Sequence, residues 1–222
     1  ATCHLLGWFL LMPSEYQQLG KHIAGGATFS SNLLLWLESG YFDSSAESKP
    51  LLHLWSLGIE EQFYILWPAM LVLAHRIRIN FLRLIAIILI ASLLINLWLT
   101  SSNPIAAFFL PISRFWELLV GAVLAYYVTA TKKLESPLCS PKISNLIATL
   151  GAMLLALGLV LINKDSLFPG WWALLPTIGG ALIIGSGPNS WVNQRVLAHP
   201  ILVWVGLISY SLYLWHWPIF TF

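Results

Sequence analysis

Charge is what this sequence has least of. Asp, Glu, Lys and Arg make up 9% of its 222 residues, against about 25% in soluble domains. That excludes a soluble globular protein, and the mean hydropathy of +0.78 agrees. Cysteine is nearly absent. Cys3 and Cys139 stand far apart and make neither a metal-ligand spacing nor a disulfide framework. No spaced set of His, Cys, Asp or Glu offers a metal site. Gly179-Gly180 and Gly185-Ser186-Gly187 lack the lysine of a phosphate cradle and read as packing and turn residues. The net charge of +2 is small, and no soluble basic patch carries interleaved aromatics, so no nucleic-acid partner is expected.

Apolar residues are abundant at 58%, with 12 Trp, a ring that favours membrane interfaces. The apolar runs are long and unbroken rather than alternating, which argues against a β-barrel. The expected fold is all-α, a polytopic transmembrane bundle of about six full spans. They fall roughly at residues 55–75, 81–100, 106–128, 143–162, 171–187 and 200–220. The first apolar run, from Leu5 to Met12, is shorter than the roughly 20 residues a span needs. The chain begins without Met and stops near the end of an apolar run. Residues 1–222 therefore read as a partial membrane domain, truncated at the front and at the back, with no soluble domain of its own.

The stretch 13–49 is polar and expected to be a loop, after which Ser48-Lys49-Pro50 can start a helix, with Ser48 as N-cap and Pro50 in the first turn. Loop charges orient the spans. Arg76, Arg78, Arg83, Lys132, Lys133, Lys142 and Arg195 fall on one side, and Lys21, Lys49 and Lys164 on the other. The positive-inside rule puts the first set in the cytoplasm, so 13–49 is expected outside.

Three polar clusters then lie toward the outer side. In "PLLHLWSLGIEEQFYILWP", residues 50–68, His53 and Glu60 share one helix face with Ser56 between them, and Glu61 follows. His53 and Glu60 are separated by about 10 Å of rise, so they can line one cleft without touching. The plain alternative is an interfacial set wetted by headgroups. In "LPISRFWELLVGAVLAYY", residues 110–127, Arg114 and Glu117 are within ion-pair reach. Ionisable groups in a span tend to face a bundle interior or a wet cavity, although a pair that only locks helices together would look the same. Gly121 and Ala125 read as a packing face. In "GLISYSLYLWHWPIF", residues 206–220, Ser209, Tyr213 and His216 form a stripe; the bland reading there is an aromatic belt with Trp215 and Trp217. His4 and His22 read as standing alone, His75 and His199 border cytoplasmic loops, and Asn96 reads as interhelical glue. The common depth of the three clusters is what a cavity requires.

At these clusters the sequence resembles the membrane acyltransferase-3 family, O-acyltransferases of bacterial surface polysaccharides. The segments that carry the resemblance are "YFDSSAESKPLLHLWSLGIEEQFYILWP" (41–68), "SRFWELLVGAVLA" (113–125), "FPGWWALLPTIGGALII" (168–184) and "SYSLYLWHWPIF" (209–220). It is most similar to the branch in which an extracytoplasmic esterase-like domain follows the membrane domain. The resemblance implies a multi-pass protein of the bacterial inner membrane that moves an acyl group, usually acetyl. The donor would be cytoplasmic acetyl-CoA, used as a substrate with no bound cofactor. The acceptor would be a hydroxyl of a surface polysaccharide or lipid-linked sugar, such as O-antigen lipopolysaccharide. It implies catalytic positions at His53, Glu60, Glu61, Arg114, Glu117 and His216, and substrate-binding positions at Trp55, Ser56, Ser209, Tyr210 and Tyr213. The family's proposed catalytic histidine sits in a first helix that would precede Ala1, so this stretch is expected to be inactive alone. A different class stays open: a secondary transporter with an Arg114–Glu117–His216 ion path. It should show broken midplane helices and related halves, whereas span 106–128 has no internal proline after Pro111 and the halves show no kinship. A purely structural membrane subunit is the third reading.

Overall fold

The computed structural model describes residues 2–39, 49–131, 140–163 and 165–222. Every regular element among them is a helix. Helices α1 (Thr2–Leu10), α2 (Pro13–Ala27) and α3 (Ser31–Glu38) precede α4 (Leu54–Arg76), α5 (Phe81–Ser102), α6 (Pro104–Phe109) and α7 (Pro111–Thr131). After them come α8 (Pro141–Leu161), a 3-10 turn (Gly170–Ala173), α9 (Leu174–Gly185), a π turn (Val192–Leu197) and α10 (Pro200–Thr221). The all-α expectation holds.

Among the described residues four stretches are long and apolar enough to cross a membrane: Leu54–Arg76, Phe81–Ser102, Pro104–Thr129 and Pro141–Leu161. The expected span at 171–187 is only the 12-residue α9 behind its 3-10 turn. Helix α10 has 22 residues, but its far half is diluted by Tyr, Trp and His. Large side chains such as Leu159, Leu207 and Phe220 point away from the protein, as side chains bathed in lipid do. The chain is an integral membrane protein.

The stretch 13–49 is largely not a loop. Proline suits the first turn of α2 because it has no N–H to leave unpaired. Glu15 accepts the Met12 N–H at 3.0 Å, capping that end. At the other end, Thr28 Oγ1 donates back to the Ala24 carbonyl at 2.9 Å. Phe29 takes a left-handed φ of 55° to turn the chain into α3. The proposed cap Ser48 lies outside the described residues. The chain there makes a turn over residues 50–53, and α4 begins at Leu54 rather than at Pro50.

The described residues fall into two compact units. The first comprises 1–68, 109–111 and 207–222, and the second 69–108 and 112–206. In the first, α4 packs tightly on α3 at Gly58, where an added Cβ would stand 2.9 Å from Asn32 Oδ1. Asn32 is fully buried; it donates to the Phe109 carbonyl at 3.1 Å and accepts from Gln62 at 2.9 Å.

In the second unit, polar side chains tie helices together where hydrocarbon offers no water. Ser92 donates to the Ile112 carbonyl and accepts the Trp116 N–H. Asn96, fully buried, donates to the Ser113 carbonyl at 2.9 Å, as the glue reading expects. Helices α8 and α9 meet at Gly151 and Gly179, where an added Cβ on Gly151 would lie 2.7 Å from the Gly179 carbonyl oxygen. Gly187 takes φ +79° in the turn that follows α9, the conformation glycine adopts without cost. One packing expectation is not met among the described residues: Gly121 and Ala125 are exposed, and none of those residues lies within 4 Å of a Cβ added at Gly121. A small-residue spacing makes close approach possible but does not supply the partner.

Candidate functional site

The polar mouth of α4 and the far half of α10 meet in the first unit. A tight turn carries His53: the Lys49 carbonyl accepts the Leu52 N–H at 3.1 Å, and the Leu51 carbonyl accepts the Leu54 N–H at 3.2 Å. His53 is 7% exposed. Its ring lies edge-on to Tyr213 at 5.3 Å and to His216 at 5.4 Å between centroids. The Tyr213 hydroxyl donates to the His53 carbonyl oxygen. A phenol has one proton, so in its 2.8 Å contact with Ser56 the serine hydroxyl is the donor.

The two histidines differ. His216 is exposed, and its Nδ1 lies 2.7 Å from the Tyr213 carbonyl oxygen. A carbonyl only accepts, so Nδ1 carries the proton, and the neutral ring presents a basic Nε2. His53 is buried, and neither ring nitrogen makes a hydrogen bond of good geometry among the described residues. Burial first, and the nearby charge of His216 second, lower its pKa from 6.5 to about 4, with the Leu214 backbone offsetting part of this. His53 is therefore neutral at physiological pH.

Beside the histidines, Ser56, Leu57, Glu60, Ser209, Tyr210 and Tyr213 line a cavity of about 310 Å³, at the small end of ligand pockets. Its wall carries four hydroxyl groups, from two serines and two tyrosines, with one carboxylate and one leucine. That composition suits a small polyhydroxylated molecule, because hydroxyls both donate and accept while Glu60 accepts.

The sequence-predicted residues divide as follows. Ser56, Glu60, Ser209, Tyr210 and Tyr213 meet at the cavity, with His53 and His216 against Tyr213. Glu61 is half-buried and not among the lining residues; it is one position off the Ser56–Glu60 face of α4. Trp55 is turned to Phe109, ring edge to face at 6.0 Å. Arg114 and Glu117 belong to the second unit, where they form the expected pair at 2.9 Å. The Arg114 guanidinium also sits over the rings of Phe108 and Phe168, at 5.8 and 5.4 Å.

Two histidines read as solitary are not. His4 bonds to the Tyr16 hydroxyl at 3.0 Å. His22 Nε2 lies 2.9 Å from Glu38 Oε2, the same oxygen that accepts from Lys49 Nζ at 3.0 Å. Both are joined by the packing of one helix on the next, which no local spacing announces. Among the described residues no group of three or more His, Cys, Asp or Glu could hold a metal ion.

Residues 5–222 match the family described as an acyltransferase domain. A protein of Haemophilus influenzae, itself uncharacterised, is 36% identical over 180 residues, covering 77% of this chain and 72% of that protein. The peptidoglycan O-acetyltransferase OatA of Listeria monocytogenes is 31% identical over 212 residues, covering 91% of this chain. This chain spans about a third of that enzyme, 34% of its length. No solved structure matches.

Proposed function

The chain belongs to the acyltransferase-3 family, and from that premise we propose that it forms part of a membrane O-acetyltransferase. The acceptor is a hydroxyl of a cell-envelope polysaccharide, and the donor is acetyl-CoA. The Listeria relative, by its name, acts on peptidoglycan, which makes an amino-sugar polymer the first acceptor to test. The location that suits this chemistry is the bacterial inner membrane, with the α4 mouth on the outer side.

The observation that carries the reading is the hydroxyl- and carboxylate-lined cavity against Tyr213, with His216 beside it. In the proposed step the acceptor hydroxyl oxygen attacks the acyl carbonyl carbon. A new ester C–O bond forms, and the bond from that carbon to the donor's leaving group breaks. His216 Nε2 takes the hydroxyl proton and returns it to the leaving group. Glu60 accepts from another hydroxyl of the same sugar, and Tyr210 offers its ring face. Neutral His53 packs edge-on to His216 without adding a second positive charge when His216 is protonated. For Arg114 the family resemblance motivates a place on the acceptor side, with support of a developing oxyanion as second choice, and Glu117 is its ion-pair partner.

The test is transfer of radiolabelled acetyl to envelope polysaccharide in cells making the full-length protein at matched membrane abundance. His216→Ala is expected to lower transfer by about 10²–10⁴-fold, the size of a lost general base. His53→Ala, Glu60→Gln, Arg114→Ala and Glu117→Gln complete the panel. Undiminished label in His216→Ala and Glu60→Gln would sink the site assignment.

A further inference from the structure

The proposed chemistry leaves one buried charged cluster unused. His22 is 3% exposed and Lys49 4% exposed, and both point at one oxygen of Glu38, at the end of α3. An ion pair taken this far from water is seldom a net source of stability, and its best-attested use is to specify one arrangement of the chain. What this cluster specifies can be followed along the backbone.

Lys49 heads the turn that carries His53. Its carbonyl closes that turn on Leu52 and also accepts the indole N–H of Trp217 at 2.8 Å. Trp217 follows His216 directly in α10. One residue thus anchors both strands of chain that present the two histidines. Leu51 between Lys49 and His53 is buried, so a shift at Lys49 has little slack to be absorbed in. Farther along, the Tyr213 hydroxyl holds the His53 carbonyl. The His53 ring is then fixed from the Lys49 side and from the α10 side together.

We propose that Glu38 is a positioning residue: by holding Lys49 it locks the 49–53 turn onto Trp217 and sets the His53 ring against Tyr213 and His216. The consequence for acyl transfer rests on the site assigned above; the geometry itself can be tested without it.

The experiment uses the full-length protein in native membranes and diethyl pyrocarbonate at pH 7, with each histidine followed by peptide mass spectrometry. Exposed His199 is the internal reference. In the parent protein His53 is expected to react about tenfold more slowly than His199, because a buried ring reacts through local opening. Glu38→Gln keeps the shape and removes the charge. It is expected to raise His53 modification about tenfold toward the reference, read well below the melting temperature, which falls because the buried Lys49 ammonium loses its carboxylate. Acetyl transfer is expected to fall by up to about a hundredfold, the scale of an ångström-sized misplacement. Trp217→Phe, which deletes the indole N–H and keeps an aromatic ring at that position, should release His53 in the same direction and carries the test if Glu38→Gln does not accumulate. Unchanged protection of His53 in the accumulating variants overturns the proposal, whatever happens to transfer. Release of His53 with transfer intact would uphold the positioning geometry and count against the acyl-transfer site, so the two failures are distinguishable.

Discussion

At the scale of single residues, the chemistry turns on two imidazoles a ring's width apart in opposite surroundings. His216 is wet and tautomer-fixed by a backbone carbonyl. His53 is dry, and its pKa stands near 4 against 6.5 for an ordinary histidine. Because the folded state binds this proton less readily than the unfolded state, folding stability rises with pH across that interval. Stability tied to His53 is complete above about pH 6.5 and is lost as the pH falls toward 4. In thermal unfolding of the detergent-purified full-length protein, His53→Gln should show a shallower decline over pH 7 to 4 than the parent. Identical slopes would mean that the imidazole is solvated.

At the scale of elements, helices meet closely where glycine removes the side chain. Gly151 faces the α9 backbone, with the Gly179 oxygen at 2.7 Å and the Ile183 nitrogen at 3.1 Å from an added Cβ. Backbone cannot step aside as a flexible side chain can, so Gly151→Ala should cost about 1–3 kcal/mol as overpacking. Gly180→Ala, whose added Cβ meets nothing within 4 Å, should be neutral or gain slightly from helix propensity. A melting comparison of the two variants checks this; equal melting temperatures would show that α8 and α9 are not packed at Gly151. The same scale explains the polar stretch. Residues 13–38 are hydrophilic enough to read as loop, yet they fold as α2 and α3, and Asn32 and Gln62 tie α3 to α4. That interaction left no periodic trace, because its partners lie in different helices.

At the scale of the whole molecule, the sidedness of the loops decides which substrate can reach which residue. Arginines at 76, 78 and 83 crowd one connection, while Ser101-Ser102-Asn103 at the next is uncharged. With Cys3 and Cys139 replaced by serine, Ser102→Cys should react with a membrane-impermeant maleimide on intact spheroplasts. Arg78→Cys should react only after permeabilisation. The reverse pattern would put the α4 mouth in the cytoplasm and exclude an outer-face acceptor at Glu60.

Much of the candidate site was legible in the sequence because it is local. Ser56 and Glu60 recur at helical spacing, as do Ser209, Tyr213 and His216, and each set shares a face whatever the rest of the chain does; His53, expected on the same face, stands instead in the turn before α4. Composition likewise determined the lipid-facing helical class, since so few charges leave a chain no soluble alternative. Only the tertiary structure decided which faces meet. Ser56 and Tyr213 are 157 residues apart, and Lys49 and Trp217 are 168 apart. It turned Trp55 away to Phe109, left Gly121 exposed, and gathered His22 and Lys49 around one oxygen of Glu38. Periodicity records the direction in which a side chain leaves its own helix; the partner it finds there depends on how distant helices pack.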